Sequence, residues 1–188
     1  MTVSTPSHLR QLIKDQDSED LFLDIYGDLH ADPEPLNRIS KLISDCDFTP
    51  TALFSASGRT ELGGNHTDHN LGKVLCAGVR EDTLAAVSAR NDDRVIINSA
   101  GFGQQFEVNV SELDRRQEEL ESTTALIRGV SAGIVKYGGR VGGFNARVNS
   151  NVAVGSGLSS SASFEVLIGT ILNELYNGGS IPPEQIAR

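Results

Sequence analysis

The sequence predicts an α+β fold, a mixed or antiparallel sheet with helices packed on it, and three observations carry that prediction. Between 51 and 110, short alternating apolar runs follow one another with turn residues between them. Over about 123–137 apolar residues instead recur at helical spacing. Around 143–176 an alternating run meets a glycine turn and then a second apolar-periodic helix.

Residues 1–50 form a helical, acidic lead-in, with ten acidic and four basic residues. Leu21, Phe22, Ile25 and Tyr26 make a short apolar stripe. Leu36, Ile39, Leu42 and Ile43 make another, with Pro33 and Pro35 at its start and Pro50 after its end. Both are packing surfaces. The strands expected from Thr51 onward cover 52–57, 73–80, 83–89, 94–98 and 105–110. The gaps Glu81-Asp82, Asn91-Asp92-Asp93 and 100–103 are turn chemistry, so the spacing predicts consecutive antiparallel hairpins. The helix at 123–137 carries Leu126, Ile127, Val130 and Ile134 and ends at Gly138-Gly139. A strand follows over 143–152, then a helix bearing Phe164, Leu167, Ile168, Ile171, Leu172 and Leu175, then the start of another at Pro182-Pro183. Residues 51–188 are expected to form one domain that ends inside a nascent helix, as a fragment would.

Composition narrows the function classes. With 38% hydrophobic and 22% charged residues the chain is globular, and no apolar run reaches the roughly 18–20 residues of a membrane span. No secretory signal is visible, and Cys46 and Cys76 form neither a disulfide framework nor a metal spacing, so a cytoplasmic setting is expected. A net charge of -9 argues against nucleic acid or an anionic membrane as partner.

The stretch Val154-Gly155-Ser156-Gly157-Leu158-Ser159-Ser160-Ser161-Ala162-Ser163 has the makings of a phosphate site. Gly155 and Gly157 permit a tight turn with room for an anion, and the first-turn amides of the following helix point at it. The hydroxyls of Ser159, Ser160, Ser161 and Ser163 can donate to phosphate oxygens or complete the shell of Mg2+. A Walker loop is excluded because the nearest Lys is Lys136; a dinucleotide fingerprint would need glycine at 160, and a nucleophile elbow glycine at 161. An isolated loop of this kind would be a plain helix cap. A second motif argues otherwise. Ser57-Gly58-Arg59-Thr60-Glu61-Leu62-Gly63-Gly64-Asn65-His66-Thr67-Asp68-His69-Asn70 gathers polar side chains around adjacent glycines, as a site for a polyol requires. Asp68 can accept from two neighbouring hydroxyls, and Arg59 can hold a developing alkoxide. The alternative for His66, Asp68 and His69 is a metal site, and His8 and His30 add no ligand spacing to it.

Together the motifs resemble the galactokinase branch of the GHMP small-molecule kinases. Arg59 through Asn70 is similar to that family's sugar signature, Gly-Arg-x-x-x-x-Gly-Glu-His-Thr-Asp-Tyr-Asn. Gly155 through Ser163 is similar to its phosphate loop, Gly-x-Gly-Leu-Ser-Ser-Ser-Ala-Ser. The resemblance implies the fold of the N-terminal domain of those kinases and transfer of the ATP γ-phosphoryl group to the anomeric hydroxyl of galactose. It implies that Arg59 assists deprotonation of that hydroxyl, that Asn65, His66 and Asp68 bind the sugar, and that Gly155, Gly157, Leu158, Ser159, Ser160 and Ser161 wrap the ATP phosphates, Ser159 touching Mg2+. Three positions depart from the family pattern: Asn65 stands for Glu, His69 for Tyr and Ala153 for Pro. The family's catalytic Asp, in a Gly-x-x-Asp setting, and its Mg2+-binding Glu have no match before Arg188. The expectation is therefore the N-terminal portion of a sugar-1-kinase, inactive alone. The rival is a non-catalytic regulator that binds sugar and ATP; a kinase of mevalonate or homoserine would leave the sugar signature unexplained.

Overall fold

The computed structural model describes residues 22–28, 31–64, 67, 70–100, 103–153 and 155–187. In chain order these contain helix α1 (Glu34–Ser44), strands β1 (Ala52–Gly63), β2 (Leu75–Ala89), β3 (Arg94–Ser99) and β4 (Gln105–Asn109), helix α2 (Thr123–Tyr137), strand β5 (Phe144–Ser150), helix α3 (Ser160–Asn177) and the single turn α4 (Pro183–Ile186).

The helices form where their ends are chemically marked. In α1, Pro35 and Glu34 occupy the first turn and Lys41 the last, and Ile39, Leu42 and Ile43 face inward. Each of those three side chains stabilises the fold by about 1.5–3 kcal/mol through burial. Helix α2 has the predicted bounds: Ser122 accepts from the Ala125 amide at its start, and Gly138, at φ 99°, turns the chain out at its end.

The sheet has the order β1-β2-β5-β3-β4, with β3 and β5 parallel and the other pairs antiparallel. This corrects the expected run of hairpins. Two hairpins exist, β1–β2 and β3–β4, but β5 lies between them. A parallel partner for β3 needs a long crossover, here β4 plus α2, and local spacing cannot reveal one. The side chains of β5 make the exchange favourable, because Phe144 and Ala146 (both 0% exposed) fill the seam beside Val87 and Ile97.

The second correction concerns Glu81-Asp82, which lie inside β2 rather than in a turn. Ser57 faces Asp82, and the next matched pair is Arg59 with Gly78, so residues 79–81 stand opposite Gly58 alone. Asp82 tolerates burial because other elements satisfy it. Its Oδ2 accepts from Tyr26 and Ser55 hydroxyls, both at 2.6 Å; Arg38 Nη1 lies 2.9 Å from its Oδ1; and its amide donates to Asn151 Oδ1 at 2.7 Å. Burial, reinforced by the hydrogen bond to Asp82, pushes the Tyr26 hydroxyl well above its ordinary pKa.

Core residues cover both faces of the sheet. On one, Ala85, Val87, Val95 and Ile97 meet Ile127 and Ile134 of α2 and Leu167, Ile168, Ile171 and Leu172 of α3. On the other, Leu84 and Ala86 meet Tyr26 and the apolar side of α1. The alternation along β2 assigns successive residues to opposite faces.

Candidate active site

The glycine-serine stretch follows β5 and opens α3, as its composition required. Gly155 and Gly157 adopt φ 76° and 78°, the left-handed region that favours glycine. Ser159 shares that region at φ 58°, a conformation that costs a non-glycine residue on the order of 1 kcal/mol. It occupies the cap position of α3 without a side-chain capping bond. The turn is held by Ser156, whose hydroxyl donates to the Ala153 carbonyl at 2.6 Å. Ser160 and Ser161 then begin an 18-residue helix whose first-turn amides have no carbonyl of their own to meet.

This loop is fastened to β1. The Arg59 amide donates to the Leu158 carbonyl at 3.0 Å. A Cβ at Gly58 would stand 3.0 Å from that same carbonyl and 3.1 Å from both Val152 Cγ1 and Val79 Cγ2, so the loop approaches the strand at a residue with no side chain. A cleft of about 320 Å³ results, lined by Arg59, Glu61, Gly155, Gly157, Ser159, Ser160 and Ser161. Arg59 and the loop serines, about a hundred residues apart in sequence, thus share one cavity. Leu158 contributes the carbonyl that joins them. Arg59 Nη1 also lies 3.9 Å from the Cys76 sulfur on β2.

Asn65, His66, Asp68 and His69 lie outside the described residues, and the alternative metal reading of that loop lies there with them. Described residues lie between and beside them. Thr67 donates its hydroxyl to the Gly64 carbonyl at 2.8 Å and accepts at its own carbonyl from the Gly72 amide at 2.8 Å. A Cβ at Gly72 would fall 2.2 Å from Thr67 Oγ1, so the close approach requires glycine. Among the described residues no cluster of His, Cys, Asp or Glu could hold a metal, and no helix is long and apolar enough to cross a membrane.

One serine of the loop departs from expectation. Ser163 does not reach the cleft; it is 3% exposed, with its hydroxyl 2.8 Å from the Ala56 carbonyl. The signal was present, since 163, 167 and 171 share the helix face that Leu167 and Ile171 bury. Two further features were missed. Glu61 lines the cleft, and its place two residues beyond Arg59 on a strand could have found it. An apolar cavity of about 680 Å³ adjoins the loop, walled by Ile97, Phe106, Leu126, Val148 and Phe164 and sharing Ser160 and Ser161 with the cleft. Arg128, buried on α2, donates to both carboxylate oxygens of the part-buried Glu119 at 2.8 Å, which holds that carboxyl below its ordinary pKa.

Comparison with known proteins agrees with this geometry. Residues 45–89 match the galactokinase galactose-binding signature, and residues 125–188 match the N-terminal domain of GHMP kinases. A galactokinase of Lacticaseibacillus casei (strain BL23) is 38% identical over 135 residues, 71% of this chain and 34% of that protein. One from Clostridium tetani is 31% identical over 135 residues, 72% of this chain and 34% of that protein. The chain therefore spans about a third of the length of the curated relatives it matches. Among solved structures, Lactococcus lactis galactokinase complexed with galactose superposes with a TM-score of 0.66 at 27% identity, covering 80% of this chain and 38% of that one. The mevalonate kinase of Methanococcus jannaschii shares the fold, with a TM-score of 0.59 at 15% identity over 72% of this chain and 43% of its own. By both signatures, by these relatives and by its fold, the chain is similar to the N-terminal part of galactokinases of the GHMP kinase superfamily.

Proposed function

We propose that this chain supplies the sugar- and phosphate-binding half of an ATP-dependent galactokinase, which phosphorylates galactose at its anomeric hydroxyl. The observation that carries the reading is the bond from the Arg59 amide to the Leu158 carbonyl, which puts the signature strand and the phosphate loop into one cleft. On this reading residues 51–188 are the N-terminal kinase domain and residues 1–50 its lead-in.

The residues present suit the groups the reaction needs. The first-turn amides, the glycine turn and the hydroxyls of Ser159, Ser160 and Ser161 would hold the ATP phosphates, and the adjoining apolar cavity would take the nucleotide base. Serine hydroxyls with the Glu61 carboxylate at one side form an oxygen-only donor set suited to Mg2+, with Ser159 as its protein ligand. The ion would neutralise charge on the transferred phosphoryl group. Arg59 lies where it can stabilise the sugar alkoxide, and Asn65, His66 and Asp68 would orient the ring through its other hydroxyls. In the transfer the anomeric oxygen bonds to the γ-phosphorus, the bond to the β-phosphate oxygen breaks, and the hydroxyl proton passes to a base. No residue of this chain matches the family's Asp for that last role.

The test is ADP formation by the complete gene product with galactose and its epimers, paired with calorimetric titration of this chain. Galactose-dependent turnover is expected, and Asp68→Ala should weaken galactose binding about tenfold or more while leaving a non-hydrolysable ATP analogue bound. Sugar-independent ADP release, or equal loss of both ligands, overturns the assignment. Asn65 in the place of the family's Glu favours one alternative, a sensor that binds sugar and ATP without transfer. Tight binding of both ligands with no turnover by the complete gene product would select it.

A further inference from the structure

Beneath the phosphate loop runs a chain of three hydroxyls. Ser163 Oγ lies 2.8 Å from the Ala56 carbonyl oxygen and 2.8 Å from Thr83 Oγ1. Thr83 Oγ1 lies 2.9 Å from Ser150 Oγ, which accepts from the Val152 amide at 3.2 Å. A carbonyl has no hydrogen to give, so Ser163 donates to Ala56, and the same hydroxyl is directed at Thr83 Oγ1. Between Thr83 and Ser150 either hydroxyl can donate. Three hydroxyls thus join the Val152 amide to the Ala56 carbonyl.

The elements joined are those that build the cleft. Val152 lies at the entry to the phosphate loop and Ser163 at its exit; Ala56 is three residues before Arg59. Thr83 is 2% exposed and Ser163 3%, surrounded by an otherwise apolar core. Valine and alanine would fill the same space without the cost of burying hydroxyls, so packing alone does not account for them. The loop between needs an external frame, because three of its residues hold left-handed backbone and, among the described residues, the internal bonds lie in the Ser156 turn.

We infer that Ser163, Thr83 and Ser150 are positioning residues: their relay holds the two ends of the phosphate loop at a set separation and ties both to the Arg59 strand. This rests on the kinase reading above. The experiment compares Thr83→Val, which keeps the shape and removes the hydroxyl, with Thr83→Ser, which keeps the hydroxyl and removes a methyl. Ser150→Ala interrupts the relay at its exposed end, where folding is not at stake. Each full-length chain is titrated with a non-hydrolysable ATP analogue plus Mg2+ and, separately, with galactose, and exchange of the Val152 amide is followed without ligand.

Thr83→Val and Ser150→Ala should weaken the analogue about tenfold with galactose affinity held within about twofold, while Thr83→Ser stays within about threefold of wild type. Val152 should exchange faster in the first two variants only. Equal weakening by Thr83→Val and Thr83→Ser, parallel loss of galactose, or wild-type affinity in Thr83→Val overturns the inference. Failure of the wild-type chain to hold the analogue would instead overturn the kinase reading. The relay is then judged by Val152 exchange, where equal rates in Thr83→Val and wild type refute it.

Discussion

From Ala52 to Ser57, strand β1 pairs with a segment of β2 that is itself paired to β5 and covered on both faces. From Arg59 to Gly63 the same strand pairs with residues 75–78, which have no second neighbour among the described strands, and Leu62 and Leu75 are 64% and 65% exposed. An isolated two-stranded ribbon is marginal in water. This one is held where the Arg59 amide meets the Leu158 carbonyl and where Gly58 admits the loop. The difference separates two duties. The inner half supplies stability, and the outer half carries the signature on a ribbon whose position depends on the glycine-serine loop.

The sharpest way to break that division is at Asp82. Asp82→Ala strips Arg38, Tyr26 and Ser55 of a common buried partner and should cost about 3–5 kcal/mol, read as a fall in the urea midpoint. A loss below about 1 kcal/mol would show that the inner half does not depend on this network. Next comes the junction. Gly58→Val places carbon against the Leu158 carbonyl and Val152, and should cost about 1–3 kcal/mol while abolishing binding of an ATP analogue. Retained analogue affinity would detach the ribbon from the loop.

A smaller effect is read by thiol alkylation at pH 8. Cys46 packs beside the α1-side core, and burial pushes its thiol up to about 11. Its thiolate is therefore scarce until pH approaches that value or the chain unfolds, whereas Cys76 is exposed on the ribbon. Cys76 should label many times faster; equal rates would mean that the inner half opens as readily as the outer. Smallest of all, Leu75→Ser should change stability by less than about 0.5 kcal/mol.

The same division explains what could be foreseen. Helix α2 was legible to the residue, because the apolar periodicity and Gly138-Gly139 are local signals. So was the glycine turn that opens α3, whose glycines take the φ values their placement demands. Asp82 was not, since a charged pair between two alternating runs has the grammar of a turn. Only Tyr26, Ser55 and Arg38, brought from elsewhere in the chain, turn it into a strand residue. The place of β5 was hidden for a like reason, because its partners lie about 50 to 70 residues upstream. Ser163 was misassigned by proximity to the loop when helical phase had already placed it inward. The residues expected to grip the sugar, Asn65, His66 and Asp68, remain sequence-based assignments that the Asp68 titration tests.

The position of β5 also bears on how the chain is made. Among the described strands it alone touches both hairpins. Both hairpins precede residue 144 in the chain, and each has an edge, β2 in one and β3 in the other, that only β5 pairs in the finished sheet. Translation at about 5–20 residues per second leaves those edges exposed for seconds before Phe144–Ser150 can wedge between them. A nascent chain stalled there would be sticky, and the step that completes the sheet is also the one that delivers the glycine-serine loop.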